Sequence, residues 1–155
     1  MSAAGEDSVA AGEHHPRAIS DLIGHPAAVA ALAEARQGGR LHHGWLISGP
    51  RGIGKATLAY RFARALLVGG PPADGGLFGD APVDDLSVDE DGPVFRQVLA
   101  GSHPDLLAIE RGFDPRRKRL RDEIVVDDVR AMGGFLAMTP AMGGWRVVIV
   151  DAADE

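Results

Sequence analysis

Seven residues, Gly49-Pro50-Arg51-Gly52-Ile53-Gly54-Lys55, limit what this chain can fold into more than any others. They stand between a short apolar run, Trp45-Leu46-Ile47, and a helical pattern in which Leu58, Phe62, Ala65 and Leu66 fall on one face. The order predicts strand, tight loop and helix. The glycines let the backbone curl so that several N–H groups point inward. A helix starting there adds the positive end of its dipole, and Lys55 supplies a mobile cation. Such a loop suits phosphate groups. The competing reading, an ordinary strand-to-helix turn, is disfavoured by the strand before and the amphipathic helix after.

The spacing follows the Walker A pattern, Gly-x-x-x-x-Gly-Lys and then Ser or Thr, except at its last position. Ala56 stands where a hydroxyl normally ligates Mg²⁺. Thr57 is about 100° further round the helix and is not expected to substitute. The expected nucleotide-binding residues are Gly49, Pro50, Arg51, Gly52, Ile53, Gly54, Lys55, Ala56 and Thr57. ATP is expected to bind weakly there, without a competent Mg²⁺ site.

Composition bounds the rest. A chain of 155 residues can bury one core, and with few aromatics that core must come from Ala, Val, Leu and Ile. A net charge of −6 argues against a generally basic nucleic-acid binder, though not against a local patch. The chain has no cysteine, which excludes disulfides and thiolate zinc sites. No apolar run approaches the roughly 20 residues of a membrane-spanning helix. The first residues lack the basic and apolar regions of a signal peptide, so a cytoplasmic location is expected.

Residues 1–17 read as a flexible tail, with His14-His15 as a solvated pair rather than a metal site. A helix is expected from Pro26, with Val29, Leu32, Ala33 and Arg36 on one stripe and Gly38-Gly39 closing it. Residues 69–100 read as an acidic, Gly/Pro-rich surface insertion. Its Asp74, Asp80, Asp84, Asp85, Asp89, Glu90 and Asp91 do not match a calcium loop and read as solvated linker. Val94–Leu99 suits a short helix. Asp105–Glu110 suits a strand, and Arg116-Arg117-Lys118-Arg119 with Arg121 suits a solvated loop or a phosphate contact. Ile124–Val126 is a brief extended run. Asp127 then suits an N-cap for a helix with Val129, Met132 and Leu136 on one side, weakened by Gly133-Gly134. Thr139–Gly144 reads as a turn.

Trp145–Val150 is β-branched and nearly all apolar, which predicts a central strand buried on both faces. It delivers Asp151 to its carboxyl end, the edge where ligands sit in open α/β sheets. A hydrophobic strand ending in Asp downstream of a Walker A loop is the Walker B pattern, whose carboxylate holds Mg²⁺. A strand-ending Asp that caps a turn is the plainer alternative.

Several stretches together resemble one family. Leu22-Ile23-Gly24-His25, the segment from His42 to Leu67, Ser102-His103-Pro104-Asp105-Leu106, and Gly144 through Glu155 look like the N-terminal part of the delta-prime subunits of bacterial DNA polymerase III clamp loaders. The resemblance implies an AAA+ P-loop domain, α/β in three layers with a mostly parallel sheet, over residues 18–155. That sheet is expected to be incomplete at the C-terminus, with the lid and collar domains absent and the chain a fragment. It implies a structural subunit of a hetero-oligomeric ring that helps load the sliding clamp onto primed DNA during replication. That ring is part of a DNA-directed DNA polymerase holoenzyme. It makes Ile23 a candidate contact to the nucleotide base, and Asp151 and Asp154 the Walker B-like residues.

Active AAA+ ATPases carry Asp-Glu after the Walker B strand, where the Glu polarises the attacking water. Ala152 stands in that slot. With Ala56, two losses disable one reaction, so little or no ATP hydrolysis is expected and no catalytic residue is assigned. Many relatives carry a four-cysteine zinc module, which does not carry over to a chain without cysteine. The alternatives are an active ATPase motor subunit of the same loader and an unrelated P-loop kinase or NTPase. If Arg116–Arg121 meets phosphates, alanine replacement of its arginines lowers DNA affinity and flattens the salt dependence of binding. An unchanged slope in a salt titration leaves a solvated loop.

Overall fold

The computed structural model describes residues 15–38, 41–69, 85–111, 113–114, 119–120, 124, 126–142 and 144–151. The elements are α1 (Pro26–Gln37), α2 (Lys55–Val68), α3 (Pro93–Leu99), β1 (Leu106–Ile109), β2 (Phe113–Asp114), β3 (Arg119–Leu120), α4 (Val126–Ala137) and β4 (Val147–Val150). β1 and β4 pair in parallel, Leu106 with Val147 through Ile109 with Val150. β2 and β3 form a separate antiparallel pair. The chain is therefore α/β with a small parallel sheet.

The helix after the glycine loop organises the packing. Its expected face, Leu58, Phe62, Ala65 and Leu66, is buried against Leu32 and Ala33 of α1 and against Leu86. The opposite face is buried too: Tyr60, Ala63 and Leu67 pack with Val98 of α3 and Ile149 of β4. A side chain of this size contributes roughly 1.5–3 kcal/mol when fully removed from water. Helix α1 begins as expected, with Pro26 in its first turn. Gly38 closes it through an N–H bond to the Glu34 carbonyl at 2.8 Å, in a right-handed rather than left-handed conformation.

Two arginines of α2 collect the flanking segments. Arg64 is 1% exposed; its guanidinium donates to the carbonyls of Arg17 at 2.9 Å and Ile19 at 2.8 Å and stacks over Phe95 at 4.9 Å. Burial, helped by the Arg61 charge, lowers its pKa to about 10, so it remains charged at neutral pH. Arg61 donates to the carbonyls of Ser20 at 2.7 Å and Asp85 at 2.8 Å, and pairs with the Asp85 carboxylate at 3.1 Å.

Those contacts correct two expectations. His15 is no solvated residue: its Nε2 lies 3.2 Å from the Glu110 carboxylate, and its ring meets Tyr60 edge-on at 5.8 Å. His14 lies outside the described residues, as do Asp74, Asp80 and Asp84 of the acidic insertion. The end of that insertion is packed rather than solvated linker. Leu86 is fully buried, and it adopts a left-handed conformation with φ 63° that leucine avoids. Asp85 makes this possible by gripping Arg61 on one side and the Ser87 N–H on the other at 2.9 Å. Asp89, Glu90 and Asp91 remain exposed, as expected.

Other expectations change where a neighbour is needed. Trp45–Ile47 is not a strand, because no described segment pairs with it; Leu46 is 88% exposed while Ile47 packs on the α1–α2 core. Trp45 instead rests edge-on against Phe62 and His42. β4 is likewise no central strand buried on both faces: it pairs with β1 alone among the described strands, and only Ile149 is buried. Val126 opens α4 instead of ending an extended run. Asp127 is therefore inside the helix rather than its N-cap, pairing with Arg130 at 3.2 Å. Val129 and Leu136 are exposed, and Gly133-Gly134 is accommodated within the helix.

The His-Pro-Asp stretch does structural work. Asp105 is buried, and its carboxylate accepts the N–H groups of Ala141 at 2.7 Å and Met142 at 2.8 Å, with Arg146 at 3.4 Å. Arg146 also donates to the carbonyls of Phe135 at 2.9 Å and Thr139 at 2.8 Å. The expected turn after α4 is thus folded around one carboxylate, directly before β4. Burial opposes the charge on Asp105, but the two N–H donors and Arg146 outweigh it and hold its pKa below the ordinary value. An Asp whose folded pKa is depressed adds stability above its unfolded pKa of about 3.9, and that stability is lost as pH falls through the folded value. Asp105→Asn should therefore cost about 3 kcal/mol at neutral pH. In chemical denaturation, the gap between the two proteins should narrow as pH drops below about 3.9.

Candidate functional site

The loop between Ile47 and α2 is shaped by its glycines. Gly54 is the N-cap of α2 in a left-handed conformation, φ 93°, which a side chain would strain. A Cβ on Gly49 would lie 2.7 Å from Cδ1 of Ile53, so a larger residue there would displace the Ile53 side chain. Lys55 opens the helix and folds back, its Nζ donating to the carbonyls of Gly49 at 2.7 Å and Pro50 at 3.0 Å. The cation is thereby held over the loop, beside the amino end of a 14-residue helix that carries no acidic residue in its first turn. Gly49, Pro50, Arg51, Gly52 and Ile53 are exposed, and Gly54 and Lys55 half-buried, so the loop is open to solvent. This arrangement fits an anion such as a phosphate.

The same geometry fits a metal ion poorly. Ala56 has no donor atom, and Thr57 is 7% exposed, turned into the core with the rest of its helix face. Among the described residues no three His, Asp or Glu side chains cluster as metal ligands would.

The segment Leu22–His25 reaches the loop, an approach sequence spacing does not show. Leu22 lies against Gly54, where a Cβ would stand 3.4 Å from its Cδ1. The His25 ring nitrogen Nε2 is 2.6 Å from the Ile53 carbonyl oxygen. Ile23, between them, is 94% exposed and projects from this junction without a protein cover. His25 itself was not among the expected site residues. Its left-handed φ of 58° beside Gly24 is the structural signal that marks it.

Asp151 follows β4 at the carboxyl end of the parallel pair, as expected. Its N–H donates to the Ile109 carbonyl at 2.9 Å, and it is half-buried. It lies close enough to Tyr60, on α2, to oppose ionisation of the phenol. The phenol is held protonated chiefly by burial and by its 2.8 Å bond to Glu110. Ala152, Asp154 and Glu155 lie outside the described residues, as do Arg116, Arg117, Lys118 and Arg121; Arg119 belongs to β3.

A family model described as DNA polymerase III, delta subunit, matches residues 24–155. The DNA polymerase III subunit delta' of Pseudomonas aeruginosa is 34% identical over 119 residues, covering 76% of this chain and 31% of that protein. The subunit tau of Escherichia coli is 27% identical over 145 residues, covering 92% of this chain and 19% of that protein. The subunit tau/gamma of Haemophilus influenzae is 40% identical over 58 residues, 37% of this chain and 8% of its own. The chain thus spans about a third of the delta' relative's length and less of the others. No solved structure gives a significant match. With the family model covering the stretch from the Gly24–His25 turn to the last residue, the chain belongs to the DNA polymerase III delta subunit family.

Proposed function

We propose that this chain acts as part of a clamp-loader subunit in bacterial DNA replication, a structural AAA+ member that holds nucleotide without turning it over. Its partners on this reading are the other loader subunits in a hetero-oligomeric ring. The sliding clamp and primed DNA are reached through that assembly, in the cytoplasm. The observation that carries the reading is the loop itself: glycine backbone and Lys55 shaped for phosphates, beside Ala56 and a buried Thr57 that offer Mg²⁺ no ligand. Membership of the family supports the assembly; the alanines support the missing chemistry. The full P-loop domain of three layers, with a mostly parallel sheet, belongs to the same proposal. Phosphate oxygens would meet the loop N–H groups and the Lys55 ammonium, and Ile23 would lie against the base. Asp151 and Asp154 would stand near a Mg²⁺ position that lacks its hydroxyl partner. No zinc is part of the proposal.

The similarity to the tau and gamma subunits favours a second reading, an ATPase motor subunit of the same loader. Calorimetry on the full-length protein, with and without Mg²⁺, separates the two. The structural reading expects weak ATP binding that Mg²⁺ does not change, turnover below roughly 1 per second, and a loss of tenfold or more, about 1.5 kcal/mol or above, in Lys55→Ala. An Ala56→Thr, Ala152→Glu double variant should gain Mg²⁺ dependence. Tight, Mg²⁺-dependent binding with hydrolysis by the natural sequence overturns the structural reading in favour of the motor.

A further inference from the structure

We infer that His25 is a positioning residue for the glycine loop: by holding the Ile53 carbonyl, it fixes the next amide, Gly54 N–H, as a donor for a bound polyphosphate. The inference rests on the reading of the loop as a nucleotide site and adds to it a residue outside the loop.

The argument starts from the peptide bond. The Ile53–Gly54 bond is trans, as every described peptide is, so its carbonyl and its N–H point in opposite directions. Whatever holds the carbonyl therefore orients the amide. The Ile53 carbonyl is held by the His25 ring at 2.6 Å. A carbonyl oxygen can only accept, so the imidazole proton sits on Nε2 and the ring donates. Gly54 N–H is thereby turned away from His25, at the amino end of α2. Gly54, with φ 93° and no side chain, is the kind of residue around which such a peptide flips. If it flipped, an acceptor oxygen would replace a donor beside the anion, exchanging attraction for repulsion.

The ring is aimed by the backbone before it. Gly24 and His25 both have positive φ, 86° and 58°, and the His25 carbonyl accepts the Val29 N–H at 3.0 Å as α1 begins. A left-handed histidine is uncommon and calls for a local reason; the bond to Ile53 supplies one. The contact is solvent-exposed, so water can replace the ring at little cost to the fold. Its function is orientation rather than stability.

The test measures binding of ATP, inorganic tripolyphosphate and adenosine to the full-length protein and to His25→Asn and His25→Gln. Asparagine tolerates the left-handed conformation but is too short to reach Ile53; glutamine keeps an amide donor at longer reach. His25→Asn should weaken ATP and tripolyphosphate about fivefold to tenfold, the size of one hydrogen bond's net worth, while adenosine binding and the melting temperature stay unchanged. His25→Gln should recover polyphosphate binding to within about twofold. Equal polyphosphate binding in the natural protein and His25→Asn overturns the positioning role while leaving the nucleotide site standing. Failure of the natural protein to bind either polyphosphate overturns the nucleotide site and this inference together. A loss in His25→Asn that His25→Gln does not repair overturns the hydrogen-bond account.

Discussion

Burial of α2 on two opposite faces is the constraint on which the rest depends. A surface helix shows one apolar stripe, but this one packs α1 and Leu86 on one side and α3 and the parallel strands on the other. Such a helix cannot shift or roll without opening both clusters. The glycine loop is therefore mounted at the amino end of a helix packed on both sides. Arg61 and Arg64 extend the grip, since the flanking chain at residues 17–20 and 85 is held by guanidinium groups that belong to the same helix. A buried guanidinium is expensive unless its donors are used. Arg64 gives its two terminal nitrogens to the carbonyls of Arg17 and Ile19, while its Nε is buried without a partner among the described residues.

A second polar anchor orders the sheet. Asp105 lies just before β1, and Arg146 just before β4, so their contact sits at the start of the parallel pair. The Asp105 carbonyl accepts the Val147 N–H at 2.9 Å, which sets the register at the same point. His103 takes part through Nδ1, which accepts the Asp105 N–H at 3.1 Å. Burial keeps this imidazole neutral against the pull of the neighbouring carboxylate. The stretch that suggested a family by its letters thus has a physical role of its own: it folds the turn after α4 and aligns two strands whose carboxyl ends carry Glu110 and Asp151.

Local periodicity carried much of this architecture into the sequence. Pro26 marked the start of α1, and the spacing of Leu58, Phe62, Ala65 and Leu66 marked one buried face of α2. The run from Asp105 to Glu110 contained β1. What was illegible depended on partners distant in the chain. Trp45–Ile47 has the composition of a strand, yet a strand exists only through its neighbours, and none of the described segments supplies one. Leu86 sits in a stretch whose acidity and glycine content suggest linker; its burial depends on Arg61, 25 positions earlier in the numbering. Of the site, the glycines and Lys55 were legible because their spacing is local. His25 was not, because its link to Ile53 crosses 28 positions.

On the proposed reading, holding a phosphate and hydrolysing it are separable for a structural reason. Anion binding at this loop, as proposed, would rely on backbone amides, a helix end and one lysine, all placed at the amino end of α2. Hydrolysis asks for more: a metal ligand from the first helical turn and a carboxylate that orients water. Those are single side chains on top of the fold, and replacing them with alanine leaves the packing of α2 untouched. Thr57 shows the limit of rescue by a neighbour, because the rotation that would bring its hydroxyl outward would also drag Leu58 and Phe62 out of the core. On that reading a chain can lose catalysis at this loop and keep the cradle, because the cradle is mounted on a helix packed into both core clusters.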